Sequence, residues 1–404
     1  MHLNSVSEKR KKLATILTFL SLPLSGFVTD IYLPSFPSMA RNLEVPKESI
    51  QLTLTYFFLS YGIGQLFVGS ILDSIGRRKP VLLSLLVIAV SSVLIAFTNQ
   101  VEFIYLLRIL QGIATAVLMV AKRAYFIDIY EGEERKHYLS YLTIIWSCGP
   151  ILAPFLGGYL EQLFGWQSNF FFLAGYATLL LVAEYIWSGE TIRAYQPFKL
   201  KETLQIYGTM LKNTPFITGI IIIGLAYSVA VVFNIAGPFV IEHHFNYDAV
   251  VIGYCTLLLG ISWMIGGIIS KKLLASAFAP KISTASGIQI ALLLLLVGVG
   301  YYYDNIYVLV GFAFFIHICS GFLFTNFFTN NLVFFPNNAG IASGLVGGLL
   351  YIIISIGSLI VSISGSIATT LDMSLRYAIF AIPMALIIYK LLYVSNPKKV
   401  VKVT

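Results

Sequence analysis

Twelve stretches of this chain are each long and apolar enough to cross a bilayer: 13–36, 49–72, 79–98, 101–124, 138–161, 167–188, 214–238, 249–271, 282–303, 306–328, 340–365 and 374–394. About 20 apolar residues in a helix span the hydrocarbon core, where every backbone group has to find its partner inside the protein. Only 11% of the residues are charged, against roughly a quarter in soluble domains. The net charge of +8 does not point to nucleic acid, because the basic residues recur in the breaks between runs rather than on one face. With the N-terminus placed inside, Lys9–Lys12, Arg77–Lys79, Lys122, Arg123, Arg135, Lys136, Arg193, Lys199, Lys201, Lys212, Lys271, Lys272, Lys281, Lys390, Lys398, Lys399 and Lys402 all fall on the cytoplasmic side. Of the 26 lysines and arginines, Arg41, Lys47 and Arg376 alone fall outside, and Arg108 lies within a span. Gaining or losing one span would scramble that asymmetry. The first run is too long for a signal peptide and lacks a small-residue cleavage site, so it reads as an uncleaved span.

The longest polar stretch, 189–213, follows the sixth run. It divides the chain into a bundle over 1–188, a cytoplasmic linker over 189–213 and a second bundle over 214–404. Matches in the same order on both sides argue for a duplication. Asp30-Ile-Tyr-Leu-Pro34 answers to Asn234-Ile-Ala-Gly-Pro238, and Tyr56, Gly62 and Gly69 answer to Tyr254, Gly260 and Gly267. Arg108 and Gly112 answer to His317 and Gly321, and Gly157-Gly158 to Gly347-Gly348. The first half has kept the charges: Asn234 replaces Asp30, His317 replaces Arg108, and Lys271 replaces Asp73. The expected fold is all-α, with twelve transmembrane helices in two pseudo-symmetric six-helix bundles.

Two residues place a permanent charge deep in a span, Asp30 and Arg108. Each costs roughly 2.5–3.5 kcal/mol at the centre of an isolated helix, so a partner or a purpose is expected. A structural ion pair and a proton site are both open, and both residues lie in the outer third of the bilayer. His317, in an aromatic tenth span, is either a hydrogen-bonded residue or a further proton group. Tyr227, Asn234, Phe314 and Phe324 join Asp30 and His317 as candidate substrate contacts. Glu184, three residues before Trp187, reads as an acid that snorkels to the interface. Cys148, Cys255 and Cys319 lie inside apolar runs without metal-ligand spacing, so neither disulfide nor metal site is expected.

The break at Gly69–Pro80, G-S-I-L-D-S-I-G-R-R-K-P, carries Asp73, Arg77, Arg78 and Lys79 between two apolar runs. Gly69 and Gly76 remove side chains where helix ends are expected to approach closely. Gly149-Pro150, Pro154 and Gly157-Gly158 crowd the fifth span, which would bend there and pack tightly. Gly149 is expected to admit the opposite bundle. The pattern G-x-x-x-D-x-x-G-R-R-K resembles the signature loop between helices 2 and 3 of the major facilitator superfamily. Gly149-Pro150 with Gly157-Gly158 resembles the antiporter motif of its drug:proton antiporters. With Thr29–Pro37, Arg108-Ile-Leu-Gln-Gly112, Asp128-Ile-Tyr and Phe335-Pro-Asn-Asn-Ala-Gly340, the chain is similar to the bicyclomycin-resistance (Bcr/CflA) group.

That resemblance implies a monomeric bacterial inner-membrane exporter of small molecules, driven by protons without a cofactor. It also implies a cytoplasmic charge relay of Asp73, Arg77 and Asp128, with Arg108 as the arginine of the helix 4 motif. No P-loop, nucleophile elbow or dinucleotide fingerprint supports enzyme chemistry. A carrier of one metabolite, such as a siderophore or peptide, is the alternative within transport. A channel or scaffold is the alternative outside it.

Overall fold

The computed structural model of the protein describes residues 3, 8–192, 195–335 and 338–394, with the side chains of 136, 140, 143, 144, 146, 147, 339 and 394 left out. Arg193, Pro336, Asn337, Lys398, Lys399 and Lys402, all used in the sequence argument, lie outside the described residues. The chain divides into two compact units, Met1–Glu202 and Thr203–Thr404.

The first unit is built from α1 (Glu8–Asp30), the short α2 (Phe36–Asn42), α3 (Lys47–Ile75), α4 (Arg78–Phe97), α5 (Val101–Ile129), α6 (Gly132–Phe164) and α7 (Gln167–Trp187). A connecting helix, α8 (Leu200–Leu211), straddles the boundary. The second unit holds α9 (Thr214–Phe239), α10 (Ala249–Lys272), α11 (Phe278–Tyr302), α12 (Ile306–Leu332), α13 (Ala339–Ile363) and α14 (Thr370–Tyr389). Eleven segments among the described residues have the length and apolarity of membrane spans. The remaining run, 138–161, lies within the 33-residue α6.

Helix ends follow local chemistry. Asn213, Asp248 and Asn305 each accept a hydrogen bond from the backbone amide three residues on, at 3.1, 3.0 and 2.9 Å, which opens α9, α10 and α12. Thr369 and Asp372 form a reciprocal capping box at the start of α14. Gly76, at φ +89°, ends α3 in a conformation that a side chain disfavours.

Packing repeats between the units. In the first, α3 packs chiefly on α5, α4 on α7 and α1 on α6. In the second, α10 packs on α12, α11 on α14 and α9 on α13, the same order of partners. The aligned glycines sit at matching crossings. A Cβ on Gly112 would strike Ser60 and Phe57 of α3, and one on Gly321 would strike Trp263 of α10. Without a hydrophobic force between helices in lipid, such close backbone approach is what binds them.

The first span departs from its expected course. Its helix stops at Asp30, turns through Leu33–Ser35 in a 3-10 segment, and resumes as α2 to Asn42. The reason is Pro34 with Pro37, which cannot supply the amides that a continuous helix needs. Asp30 is therefore the last residue of a helix rather than an interior one.

Candidate functional site

In the first unit the break after α1 brings Asp30 and Arg108 into one buried cluster. Asp30 is 3% exposed and Arg108 fully buried. Arg108 Nη1 donates to the Val28 carbonyl at 2.9 Å and to Gln111 Oε1 at 2.7 Å. Its guanidinium carbon lies 4.6 Å from the centre of the Tyr32 ring and 4.4 Å from that of Phe57. Gln111 passes the network to Ser92 Oγ at 3.0 Å, and Tyr32 OH meets Thr53 Oγ1 at 3.0 Å. No ion pair joins Asp30 to Arg108 among the described residues, and Asp30 Oδ1 is buried without a hydrogen-bond partner. The arginine is thus held by a carbonyl, an amide and two π-faces, while the acid keeps a free acceptor. Gln111, Tyr32 and Phe57 were not among the candidate site residues; Gln111 and Tyr32 stand inside the motifs at Arg108–Gly112 and Thr29–Pro37, and Phe57 in neither.

α6 seats the break. A Cβ on Gly157 would collide with the Ile31 carbonyl, and Asn169 of α7 donates to Ser35 Oγ at 2.8 Å. Gly149 lies 2.5 Å, measured from a built Cβ, from the Pro23 carbonyl, and Gly26 faces Pro150 in turn. Through these contacts Gly149-Pro150 packs α6 onto α1 of its own unit. Gly158 is buried in the same stretch of α6.

The end of the unit that carries residues 69–80, here the loop end, gathers a second cluster. Arg77 Nη2 lies 3.1 Å from Asp73 Oδ1, and its Nη1 lies 3.0 Å from Asp128 Oδ2. Thr191 Oγ1 donates to that same Asp128 oxygen at 2.8 Å. The residue sequence reasoning missed is Glu190. Its carboxylate accepts from the amides of Arg77 and Arg78, at 3.0 and 3.1 Å, and from those of Thr191 and Ile192, at 2.9 and 3.1 Å. An acid at the N-terminus of α4 also meets the positive end of the helix dipole. Burial alone would raise its pKa, but the four amides outweigh burial and hold it below the usual carboxylate value. Gly76 is required here, since a built Cβ would lie 2.7 Å from Glu190 Oε2. Gly69 is not: its nearest neighbour, Val120, lies at 4.0 Å, an ordinary contact.

α7 ends in the same region. Arg78 donates to the Tyr185 carbonyl at 3.0 Å, and Arg10 to the Ile186 carbonyl at 2.9 Å, so two cations cap its C-terminus. One turn inside, Glu184 forms an ion pair with Lys122 of α5, with side-chain exposures of 3% and 4%. Glu184 therefore does not snorkel: α7 turns it inward, toward an ammonium that the sequence reading had counted as a loop charge.

In the second unit the rings of Tyr227, Trp263 and Phe324 converge from α9, α10 and α12, with centroids 5.3–6.1 Å apart. Phe328 stacks on Phe324 at 5.6 Å. His317 is turned elsewhere: it is 2% exposed, and its Nε2 lies 3.3 Å from the Tyr377 hydroxyl of α14. Phe314 meets Phe315 edge-on at 5.4 Å, and Asn234 is half-buried on α9. The described residues include no group of three or more His, Cys, Asp or Glu side chains that could hold a metal ion.

Residues 18–358 match the family described as the Major Facilitator Superfamily. The chain is 28% identical over 375 residues to the uncharacterized MFS-type transporter YdgK of Bacillus subtilis, covering 90% of this chain and 92% of that one. A bicyclomycin resistance protein homolog of Haemophilus influenzae is 34% identical over 151 residues, 37% of this chain and 38% of that one. The resemblance read from the motifs is thereby borne out. Among solved structures, the xylose transporter XylE of E. coli in a partially occluded inward-open conformation superposes with a TM-score of 0.71. At 14% identity it covers 97% of this chain and 99% of that one, which establishes the fold.

Proposed function

This chain belongs to the major facilitator superfamily of membrane transporters, and from that premise we propose that it exports small molecules in exchange for protons by alternating access. The observation that carries the reading is the buried Asp30 carboxylate, with one oxygen unpartnered beside an arginine whose Nη1 is held by Val28 and Gln111 while its Nε and Nη2 make no hydrogen bond. Asp30 takes up a proton from outside and gives it back inside as substrate moves the other way. Arg108 keeps a fixed positive charge at the site, so the net charge there changes by one with each proton. In the second unit Tyr227, Asn234, Phe314 and Phe324 offer flat apolar and amide contacts to substrate; Asp30 of the first unit and His317, which faces Tyr377, are the polar candidates. His317 is the second candidate for proton coupling. The Asp73–Arg77–Asp128 relay, extended by Glu190, holds the loop end closed in one half of the cycle. Antibiotic efflux is favoured over a dedicated metabolite carrier by the likeness to the bicyclomycin resistance protein homolog of Haemophilus. The protein works as a monomer in a bacterial inner membrane, with both termini in the cytoplasm and the proton gradient as its only energy source.

Purified protein in liposomes with an imposed pH gradient tests this, with bicyclomycin as probe. The wild type should move it against its concentration gradient. Asp30→Asn should still exchange it across equal pH but lose the uphill component. Uphill movement by Asp30→Asn at the wild-type rate would overturn the assignment.

A further inference from the structure

The connecting helix α8 has an apolar edge that the protein itself leaves half uncovered. Thr203, Tyr207 and Met210 recur at helical spacing and are buried. Beside that stripe stand Leu200, Leu204 and Leu211, which are 43%, 47% and 43% exposed. At 3.6 residues per turn the three leucines fall within about 40° of one another, and Lys201 and Lys212 lie roughly 60–80° further round. Both lysines are exposed, as are Gln205 and Thr209 on the far side. Glu202, the one acid of α8, is paired with Lys199 at 2.8 Å, so the charge left over along this helix is positive.

Covalent continuity puts this edge at the bilayer surface. Leu211 precedes Asn213 by two residues, at most about 7 Å of chain. Asn213 in turn caps α9, a membrane-spanning helix. On the other side α7 ends with Tyr185 and Trp187 exposed, aromatic side chains of the kind that mark the headgroup level of a span. The leucines run from the first residue of α8 to its last, so the whole edge is covered only if the helix lies flat. A helix that is basic on one flank and leucine-rich on the next binds in the plane of the interface, with its apolar face at the acyl boundary. A second copy of the chain would be a poor cover. Three half-exposed leucines fall far short of the roughly 800 Å² per partner of a stable protein interface.

We propose that α8 is a lipid-binding element: Leu200, Leu204 and Leu211 enter the boundary between headgroups and acyl chains, and Lys201 and Lys212 bind the phosphates of acidic phospholipid. The inference needs only that the chain spans a membrane, and is independent of the proton and of the substrate. Each lysine near an acidic surface strengthens such binding about fivefold, so the pair contributes roughly 25-fold. The leucines set the depth, and the lysines make that depth depend on lipid charge.

Gly208 offers a probe site between the leucines and the lysines. It follows Leu204 by one turn and precedes Lys212 by one, and a built Cβ there meets nothing within 4 Å. A spin label on Gly208→Cys, with the exposed native cysteine removed as Cys148→Ser, reports depth in the full-length protein. The reading is the ratio of its accessibility to oxygen and to a water-soluble nickel chelate. Thr209→Cys, about 100° round the helix, serves as the water-facing control. In vesicles of equal parts phosphatidylcholine and phosphatidylglycerol the ratio at 208 should exceed that at 209 severalfold. In phosphatidylcholine alone it should fall, and Lys201→Gln/Lys212→Gln should give that lower value in both lipids. Leu204→Gln/Leu211→Gln should make 208 as wet as 209 in both, while the helical spectrum stays that of the wild type. A label at 208 as accessible to nickel as that at 209 in the acidic vesicles would overturn the proposal. A ratio unchanged by lipid charge would overturn the assignment of the lysines to acidic headgroups. Dipolar broadening between labels on separate molecules would overturn it in favour of a second copy of the chain.

Discussion

Arg108 keeps its charge in an apolar interior by geometry rather than by pairing. The planar guanidinium presents Nη1 to Val28 and Gln111 while its faces meet Tyr32 and Phe57. A lysine has the charge but not the fork or the flat face. Each lost hydrogen bond to a charged group costs about 1.5–3 kcal/mol, a factor of ten or more. Arg108→Lys should therefore reduce probe transport at least about tenfold with little change in the amount of protein in the membrane; both are measurable in the same vesicles. Glu190 gives a prediction in pH. Because its folded-state pKa is depressed, its contribution is present above the unfolded carboxylate value and is lost as pH falls through the folded one. Glu190→Gln should lower the melting temperature at neutral pH, with a cost of about 1 kcal/mol for a weakened cap. That difference should shrink to nothing in acid below the carboxylate range. A difference that grew on acidification would contradict the sign. Gly76→Ala should be worse, combining a positive φ with a carboxylate in the way of its new methyl group.

Helices α1 and α6 of the first unit approach one another backbone to backbone. Gly26, Gly149 and Gly157 each leave room for the other helix where a methyl group would overlap it. Gly157→Ala should drive Ile31 away and disturb Asp30 next to it, and Gly149→Leu should part the helices outright. Overpacking costs typically 1–3 kcal/mol, so both variants should melt earlier, whereas Gly69→Ala, facing Val120 at 4.0 Å, should melt with the wild type. The helices themselves were legible because apolar runs of bilayer length have one stable backbone solution. So were Asp73, Arg77 and Asp128, whose spacing is a motif, and Asp30 with Arg108, which stand out as charges in apolar runs. Glu190, Glu184 and Gln111 were not, for three reasons. Glu190 acts on amides that are 112 and 113 residues away in the chain. Glu184 sits near a helix end, where an acid reads as interfacial until its rotation is known. Gln111 is uncharged, so nothing in composition marks it. The end of α1 at Asp30 was half-legible: Pro34 announced a disturbance but not on which side the helix would stop.

At the scale of the molecule the two units repeat one plan of helix pairing on unequal chemistry: the first holds the buried charges, the second a cluster of rings around Tyr227. Each has its own core, and the stretch 195–200 that leads into α8 is exposed. Trypsin should cut after Lys199, whose side chain is 56% exposed, and leave both fragments helical in the membrane. Loss of helical signal on that single cut would show that neither unit stands alone. The first unit also closes on its own beginning, since Leu3 donates its amide to the Glu190 carbonyl at 2.9 Å. That closure sets an order in time. The loop at 69–80 leaves the ribosome 113 residues ahead of the carboxylate that satisfies its amides. At roughly 5–20 residues per second the delay is about 6–23 s. Throughout that interval the most basic turn of the young chain is open to water, lipid headgroups and chaperones, and it takes its final shape only when the sixth span is complete.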